Sequence, residues 1–381
     1  MSKSFPFDVP ESLTGGRKPD KIIHCSVWGD ISVDNLARTI IDTWSFQRLH
    51  YIHLTGVLYK IFPTATTTVF EHALGSYHVA RLFLKKLYTT CPDAFLDFPE
   101  VPFYLIPIAA LCRWLGSGPF HHLFDTFLER KGHSRVIETP HAHVNDRSCH
   151  ILENLLTHLS FPFRIPPDDL LFLKTLLSPG SYHHPHIKPW FRTIIVDSED
   201  VYENPVNFLA IDHVLRCNKA IGLVHGIDFT RILENTRIVE NDLCFCTRIE
   251  DDLEIINVTK KRLHVTAFEH PRLERFEQNV LRMMNETWIE DSNFREMVAT
   301  GVVDDFLEWT DVRLLSVWHS KPSWQTIETR IRIDEGGRNL VGGIEEERRN
   351  SSTKTMGSKT TSCIKSIKWY HRKKPGTVFT K

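Results

Sequence analysis

The sequence has few of the features that mark secreted or membrane proteins. Its eight cysteines include no Cys-x-x-Cys pair, which disfavours a zinc ribbon, and no secretory signal accompanies them to suggest a disulfide framework. Residues 1–20 are polar and lack the apolar core of a signal peptide. The longest apolar run, 101–115, contains two prolines and Arg113 and is shorter than the about 20 residues that cross a bilayer. We therefore expect an intracellular protein, nuclear or cytoplasmic, with reduced cysteines and no membrane span.

The net charge of −1 hides an uneven distribution of charge. Residues 351–381 carry eight Lys or Arg and no Asp or Glu, which leaves 38 basic and 47 acidic residues in the remainder, a net of −9. An acidic body does not indicate a dedicated nucleic-acid-binding domain. The tail segment 365–374 interleaves aromatic with basic residues, which is compatible with contact to nucleic acid, anionic lipid or an import receptor, and equally with a solvated end.

Three regions follow one another along the chain. Residues 1–20 are expected to be a flexible leader, and 21–320 contain nearly all of the periodic apolar sequence. Residues 321–381 run through Gly-Gly, Glu-Glu-Glu and Ser-Ser clusters, which bury too little apolar surface to fold alone. One domain with a largely disordered basic tail is therefore predicted.

The middle region has the apolar spacing of helices. Residues 69–87 give a long amphipathic pattern, and 104–115 are apolar on nearly all sides, which predicts a buried central helix. The alternating residues 243–247, the acidic 250–252 and the apolar 253–256 together predict a β-hairpin. The expected fold is mainly α-helical with a small β element, and further helical patterns cover 36–49, 168–177, 205–222 and 267–284.

Four stretches occur in the order and spacing of one known family. They are 21–52, with KIIH, IIDT and FQRLHYI; 62–75, which end in FEHALG; 111–125, LCRWLGSGPFHHLFD; and 210–233, with AID and IDFTRIL. Together they resemble the HD-domain deoxynucleoside triphosphate triphosphohydrolases, especially the eukaryotic SAM-and-HD-domain branch, over roughly residues 21–300. The resemblance implies an HD-type (HD/PDEase-like) helical fold and does not extend to a SAM domain.

The resemblance implies a metal site that this sequence has mostly lost. The family holds a divalent ion with a His, a His-Asp pair and a distant Asp, and the ion stabilises phosphate charge and activates water. Here the first ligand is His72, the pair is replaced by Arg113 and Trp114, and Val214 stands for the last Asp. The alignment predicts His72, Arg113 and Val214 side by side in one cavity. One imidazole alone cannot hold a catalytic ion, so no metal cofactor is expected.

Other pocket positions are also changed or reduced. The family's substrate-facing Arg, catalytic His and pocket Gln are Val69, Ser117 and Leu54 in this sequence. The resemblance marks three residues as retained remnants of the pocket: His122, His143 and Asp212. Such residues can instead persist as a hydrogen-bonded scaffold.

The family also binds nucleotide activators, which implies a second set of candidate residues. Lys21, Asp42 and Gln47 match the opening segment that the family uses there, and Arg231 and Arg248 fall near contacts to a second activator. Possible ligands are dNTPs or GTP, with Arg113 as an additional phosphate-attracting charge. The alternative is structural: Asp42 caps a turn, and Gln47 or Arg48 packs at a helix surface. The matching segment also predicts self-association, or a mixed oligomer with an active HD relative.

Two classes of function remain open at this point. The first is a catalytically inactive pseudoenzyme that serves as a nucleotide-sensing or protein-interaction module. The second is an active triphosphohydrolase with a rearranged site for Mg, Mn, Fe or Zn. That site would draw on the histidines of residues 121–122, 141 and 143 with Asp125 or Asp146 as the carboxylate.

Overall fold

The computed structural model describes residues 8–10, 20–132, 143–158, 161–195, 208–300, 303–319, 369–373 and 377–380. The chain is mainly helical with two small sheets, as predicted. Within the described ranges, every helix is too short or too polar to cross a membrane. The helices are α1 Asn35–Ile41, α2 Trp44–Gln47, α3 Val69–Thr90, α4 Asp93–Leu96, α5 Leu105–Cys112, α6 His122–Arg130, α7 Val144–Thr157, α8 Pro167–Leu177, α9 Pro189–Ile195, α10 Phe208–Ile221, α11 Phe229–Glu234, α12 Glu250–Leu263, α13 Pro271–Glu290, α14 Ser292–Thr300, α15 Val303–Leu307 and α16 Asp311–His319.

Helices α3, α5 and α10 pack together and form the centre of the domain. Helix α3 begins at a capping box, in which the Thr68 hydroxyl accepts from the Glu71 amide and the Glu71 carboxylate accepts from the Thr68 amide. Every side chain of α5 is buried, so the predicted central helix is confirmed. Polar faces would be costly at this position, which explains why the α5 sequence is apolar on all sides.

Arg48 lies inside this core rather than at a helix surface. Its guanidinium is fully buried and donates to three main-chain carbonyls, those of Leu115 (3.2 Å), Ser117 (2.9 Å) and Trp309 (2.8 Å). The expectation that Arg48 packs at a surface is therefore wrong. The residue ties the loop after α5 to the segment before α16, because a planar guanidinium can reach several carbonyls at once.

The predicted hairpin is partly wrong. Strand β4 (Asp242–Cys246) exists, but its antiparallel partner is the upstream strand β3 (Thr236–Val239), and the downstream residues form α12. The acidic residues 250–252 lie in the first turn of α12, where negative charge favours the helix N-terminus. Leu253, Ile256 and Leu263 are buried on one face of that helix. The short apolar run 253–256 is thus part of a 3.6-residue repeat.

Two strands from the basic tail extend this sheet. Strand β5 (Trp369–Lys373) pairs parallel to β4, and β6 (Thr377–Thr380) pairs antiparallel to β5, giving the order β3-β4-β5-β6. The second sheet is the hairpin of β1 (Lys21–Cys25) and β2 (Gly29–Val33). No strand was predicted from the sequence in the range 321–381, so β5 and β6 correct that prediction for their own residues. For the residues of the range that the structure does not describe, disorder stays a prediction.

Candidate functional site

Three aromatic residues on or beside the three central helices lie close together in space. His72 lies on α3, Trp114 follows α5 directly, and His213 lies on α10. The centroid of the His72 ring is 5.6 Å from that of Trp114 and 5.7 Å from that of His213. The Trp114 ring in turn lies 5.2 Å from the ring of His121. Four rings therefore cluster around His72 and Trp114, two of the positions that the alignment assigns to metal ligands.

Arg113 and Val214 are both buried. The guanidinium carbon of Arg113 lies 5.4 Å from the centroid of the Trp114 ring. Val214 is on α10, and its carbonyl accepts a 2.7 Å hydrogen bond from the Asn218 side chain. Placement of Val214 against His72 and Arg113 in one cavity stays a prediction.

Asp212 is fully buried at the centre of a hydrogen-bond network. Its Oδ1 accepts from Trp28 Nε1 (2.5 Å) and Arg216 Nη2 (2.8 Å). Its Oδ2 accepts from His72 Nδ1 (2.6 Å) and Arg216 Nε (3.0 Å). A carboxylate offers about four lone-pair sites, and here four donors fill them. Asp212 therefore has no oxygen lone pair left for a metal ion.

Asp212 and Arg216 form a buried ion pair in which each charge compensates the other. Burial opposes ionisation of Asp212, but the Arg216 guanidinium and His72 outweigh it and hold the pKa of this carboxyl well below its usual range. Burial likewise opposes the charge of Arg216, and Asp212 outweighs it, so the pKa of the guanidinium is raised. Glu71 adds a weaker contact, with its Oε1 3.9 Å from Arg216 Nη1. The pair thus stays charged over the ordinary pH range.

Gly75 allows α3 and α10 to approach closely at this network. A Cβ atom on residue 75 would lie 2.0 Å from Asp212 Oδ1 and 2.5 Å from Arg216 Nη2. Both atoms are held by hydrogen bonds within a buried site, so neither can move aside cheaply. The glycine weakens helix propensity, but it is the residue that makes room for the ion pair.

The residues around His72 do not fit a divalent metal. In the part of the chain that the structure describes, no group of three or more His, Cys, Asp or Glu side chains is placed to hold an ion. Burial lowers the pKa of His213 to about 3, and burial followed by the charge of His122 lowers that of His121 well below its usual value. Arg113 supplies positive charge at this position, whereas the charge of Arg216 is compensated by Asp212. The donor set favours an anion over a cation.

His122 and His143, the retained pocket histidines, have partners of their own. His122 Nε2 lies 3.4 Å from Glu277 Oε1 on α13, and about half of its side chain is exposed. His143 caps α7, where its Nδ1 accepts a 3.2 Å hydrogen bond from the Asn145 amide. These contacts agree with the scaffold interpretation of both residues.

The carboxylates of the alternative metal site are engaged elsewhere. Asp125 forms a 2.5 Å ion pair with Arg147, and Asp146 accepts from Ser178 at 2.6 Å. His141 lies outside the described residues. The described geometry therefore gives no support to a rearranged site built on these groups.

The opening segment does bring its candidate nucleotide-binding residues together. Lys21 Nζ lies 3.5 Å from Asp42 Oδ1, and Arg38 Nε lies 3.6 Å from Asp42 Oδ2. Gln47 Nε2 donates to the Ile41 carbonyl at 2.8 Å, and Asp42 is the C-cap of α1. The cap contacts of Asp42 are made by its backbone N–H, so a capping role for its side chain stays a prediction, while the Lys21 and Asp42 side chains remain about half exposed.

The second candidate pair is also adjacent in space. Arg231 Nη2 donates to the Arg248 carbonyl at 3.4 Å, and its Nε forms a 2.7 Å ion pair with Asp252. Asp252 raises the pKa of Arg231 through this bond. Arg231 is therefore neutralised by its own chain, which reduces its attraction for phosphate.

Sequence reasoning missed two partners of Asp212. Arg216 could have been found, because Asp and Arg four residues apart on a predicted helix form an ion pair on one face. Trp28 comes from the turn between β1 and β2, 184 residues away in sequence, and its indole N–H is a donor without a local partner. The sequence gives no signal for that contact.

Comparison with known proteins supports the resemblance. No family model matches the chain. It is 27% identical over 332 residues to the deoxynucleoside triphosphate triphosphohydrolase SAMHD1 homolog of Dictyostelium discoideum, covering 87% of this chain and 61% of that protein. It is 26% identical over 307 residues to an HD domain-containing protein of Acanthamoeba polyphaga mimivirus, covering 77% and 63%. It is 29% identical over 269 residues to the Gallus gallus triphosphohydrolase SAMHD1, covering 66% and 42%. The chain thus spans less than two thirds of the length of these relatives.

Proposed function

Because the chain is related to the HD-domain deoxynucleoside triphosphate triphosphohydrolases, we propose that it is a catalytically inactive relative that binds nucleotide without hydrolysing it. The observation that carries the proposal is the state of Asp212. This carboxylate lies at hydrogen-bond distance from His72, the one metal-ligand residue that the alignment retains, and Trp28 and Arg216 complete its set of donors. Arg216 stands in for the positive charge of a metal.

The residues around His72 do not provide what metal-dependent hydrolysis requires. The ion must be held by several N or O ligands, and it must lower the pKa of a bound water. Trp114 has no oxygen to offer, and Arg113 repels a cation from the same place. His72 is committed to Asp212 through its Nδ1, so a single imidazole nitrogen is left as a ligand.

Trp114 and Arg113, which disfavour a metal ion, favour the binding of phosphate oxygens. The indole Nε1–H of Trp114 is buried and has no hydrogen-bond partner among the described residues. Arg113 places a guanidinium charge within 5.4 Å of that ring. N–H donors beside a fixed positive charge are suited to an oxyanion, and charge-assisted bonds of this kind are strong. A dNTP is the ligand class that the names of the relatives suggest, and GTP is a second candidate from the family resemblance.

A catalytically inactive protein that binds nucleotide acts through the proteins with which it assembles. The opening segment keeps Lys21, Asp42 and Gln47 in one place, and we expect this surface to join copies of the chain or to pair it with an active HD relative. Nucleotide occupancy would then be reported through assembly rather than through turnover.

The test measures three quantities on the purified full chain. We expect no stoichiometric metal by elemental analysis, no triphosphate release from dNTPs, and measurable dNTP or GTP binding by calorimetry. Arg113→Met should weaken nucleotide binding about tenfold through the lost charge, whereas the exposed Arg130→Met should leave it unchanged. Triphosphate release that disappears in His72→Ala and persists in Trp114→Ala would show a working rearranged site and would end the proposal.

A further inference from the structure

A cleft lies on the surface between the turn that joins β1 to β2 and the C-terminal end of α10. Its volume is about 470 Å³, which falls within the about 300–1,000 Å³ of small-molecule pockets. Its lining side chains are apolar except for Lys219 and His225. The cleft is named the Trp28 cleft after the largest of these side chains. An apolar cleft with two polar groups is typical of a site for a small molecule.

The chain that leaves α10 forms one wall of the Trp28 cleft. Gly222 follows the helix with a φ of +75°, which glycine adopts without strain. The Gly222 amide donates to the Lys219 carbonyl at 3.3 Å, and the next amide, of Leu223, donates to the Asn218 carbonyl at 2.8 Å. These two bonds form a Schellman motif, which satisfies the last carbonyls of the helix and turns the chain back. Leu223 and Val224 therefore line the cleft.

The opposite wall is held in place by contacts within the chain. The Trp28 indole Nε1 donates to Asp212 Oδ1 at 2.5 Å, and the Trp28 ring meets the Phe229 ring edge-on, with centroids 4.8 Å apart. The Lys219 ammonium donates to the Ser26 carbonyl of the same turn. The walls and the charge are thus positioned before any ligand arrives, which reduces the entropy lost on binding.

The two polar groups of the Trp28 cleft have unused hydrogen-bonding capacity. The Lys219 ammonium has three N–H donors, and the Ser26 carbonyl accepts from one of them. In the described part of the chain, no carboxylate forms an ion pair with Lys219. His225 Nδ1 is buried and has no hydrogen-bond partner among the described residues. A positive charge and a second N–H donor at the edge of an apolar cleft are suited to an acid with an apolar body.

We infer that the Trp28 cleft binds a small monocarboxylate with an aliphatic body, of the medium-chain fatty acid type. The carboxylate accepts from Lys219 Nζ and from His225 Nδ1, in the tautomer that carries a hydrogen on that nitrogen. An aliphatic body fits better than a flat ring, because most of the apolar lining is aliphatic: Val27, Leu215, Leu223, Val224 and Ile227. None of the rings that cluster around His72 lines this cleft. Its occupancy is therefore independent of whether a nucleotide binds there.

Calorimetric titration of the full chain with octanoate, 1-octanol and octylamine tests the site. We expect one octanoate per chain, weaker binding of 1-octanol, and no binding of octylamine, because its ammonium is repelled by Lys219. Lys219→Met keeps the apolar stem and should weaken octanoate binding about tenfold while leaving 1-octanol unchanged. Lys85→Met on α3, which also removes an exposed charge but lies outside the cleft, should change neither.

The apolar wall has its own matched pair of variants. Leu223→Trp fills the cleft and should abolish binding of octanoate and 1-octanol alike, whereas Val265→Trp, at a 62% exposed position outside the cleft, should not. A wild-type chain that binds no octanoate, or that binds all three probes equally, overturns the assignment. Octanoate binding that survives unchanged in Lys219→Met overturns it as well, since the carboxylate would then lie elsewhere. Because Lys219 is exposed, this last result does not depend on how well a core variant folds.

Discussion

Replacing Arg216 with Met tests whether this guanidinium is the charge partner that Asp212 requires. The substitution keeps most of the side-chain volume and removes two hydrogen bonds to Asp212, of 2.8 and 3.0 Å, a longer one of 3.5 Å to Cys25 Sγ, and the positive charge. His72 and Trp28 stay in place as donors. The carboxylate that remains is fully buried, with no solvent to stabilise its charge.

The expected loss is large for a single substitution. Removing one partner of a buried ion pair costs about 3–5 kcal/mol, because the other charge is left without compensation. A domain has about 5–15 kcal/mol of stability in total, so the variant should lose about a fifth of it or more. Arg231→Met is the matched control. It also breaks an Arg–Asp pair, of 2.7 Å, but at the surface, where solvent screens the two charges and such pairs contribute little to stability.

Urea unfolding followed by circular dichroism measures both variants. The pH dependence adds a second readout. Because Arg216 holds the pKa of Asp212 below its unfolded value of about 3.9, the wild type keeps this stabilisation above that pH and loses it as the pH falls further. In Arg216→Met the carboxyl can take up a proton more readily, so the stability difference should shrink below about pH 5. A difference under about 1 kcal/mol at pH 7, or one that does not change with pH, would refute the role given to Arg216.

Two further substitutions test the supports of the site. Gly75→Ala should cost about 3 kcal/mol or more, because its Cβ would overlap Asp212 Oδ1, while Gly180→Ala, which meets no atom within 4 Å, should stay within about 0.5 kcal/mol by thermal unfolding. Arg48→Met should cost about 3 kcal/mol or more in urea unfolding, because three carbonyls lose their buried donor, and Arg48→Lys should recover little of it, because one ammonium cannot reach all three. Full stability of Arg48→Lys would contradict the three-carbonyl contact.

The helical framework could be predicted because it is local. Helix α5 is apolar on every side, and α3 has both a capping box and a long apolar stripe, so periodicity alone locates them. The β-hairpin could not be placed correctly, because a four-residue apolar run fits a strand and a helix equally well. The partner of β4 and the fate of 253–256 depend on packing that the sequence does not display.

The sequence indicates which residues belong to the candidate site, but it does not indicate how their side chains pair with each other. The alignment indicates where His72, Arg113 and Trp114 lie, and it shows which ligands are missing. It does not show that Asp212 turns toward His72 and takes Arg216 as its counter-charge. Trp28 shows the limit most clearly, since its indole reaches Asp212 from a turn 184 residues away.

The order of the four-stranded sheet has a consequence for how the chain is made. Cys246 on β4 pairs with Tyr370 on β5. One edge of β4 therefore stays unpaired until Tyr370, 124 residues later in the chain, has been synthesised. At about 5–20 residues per second, the ribosome needs about 6–25 s to cover that distance. During this time the β4 edge is open to strands of neighbouring nascent chains.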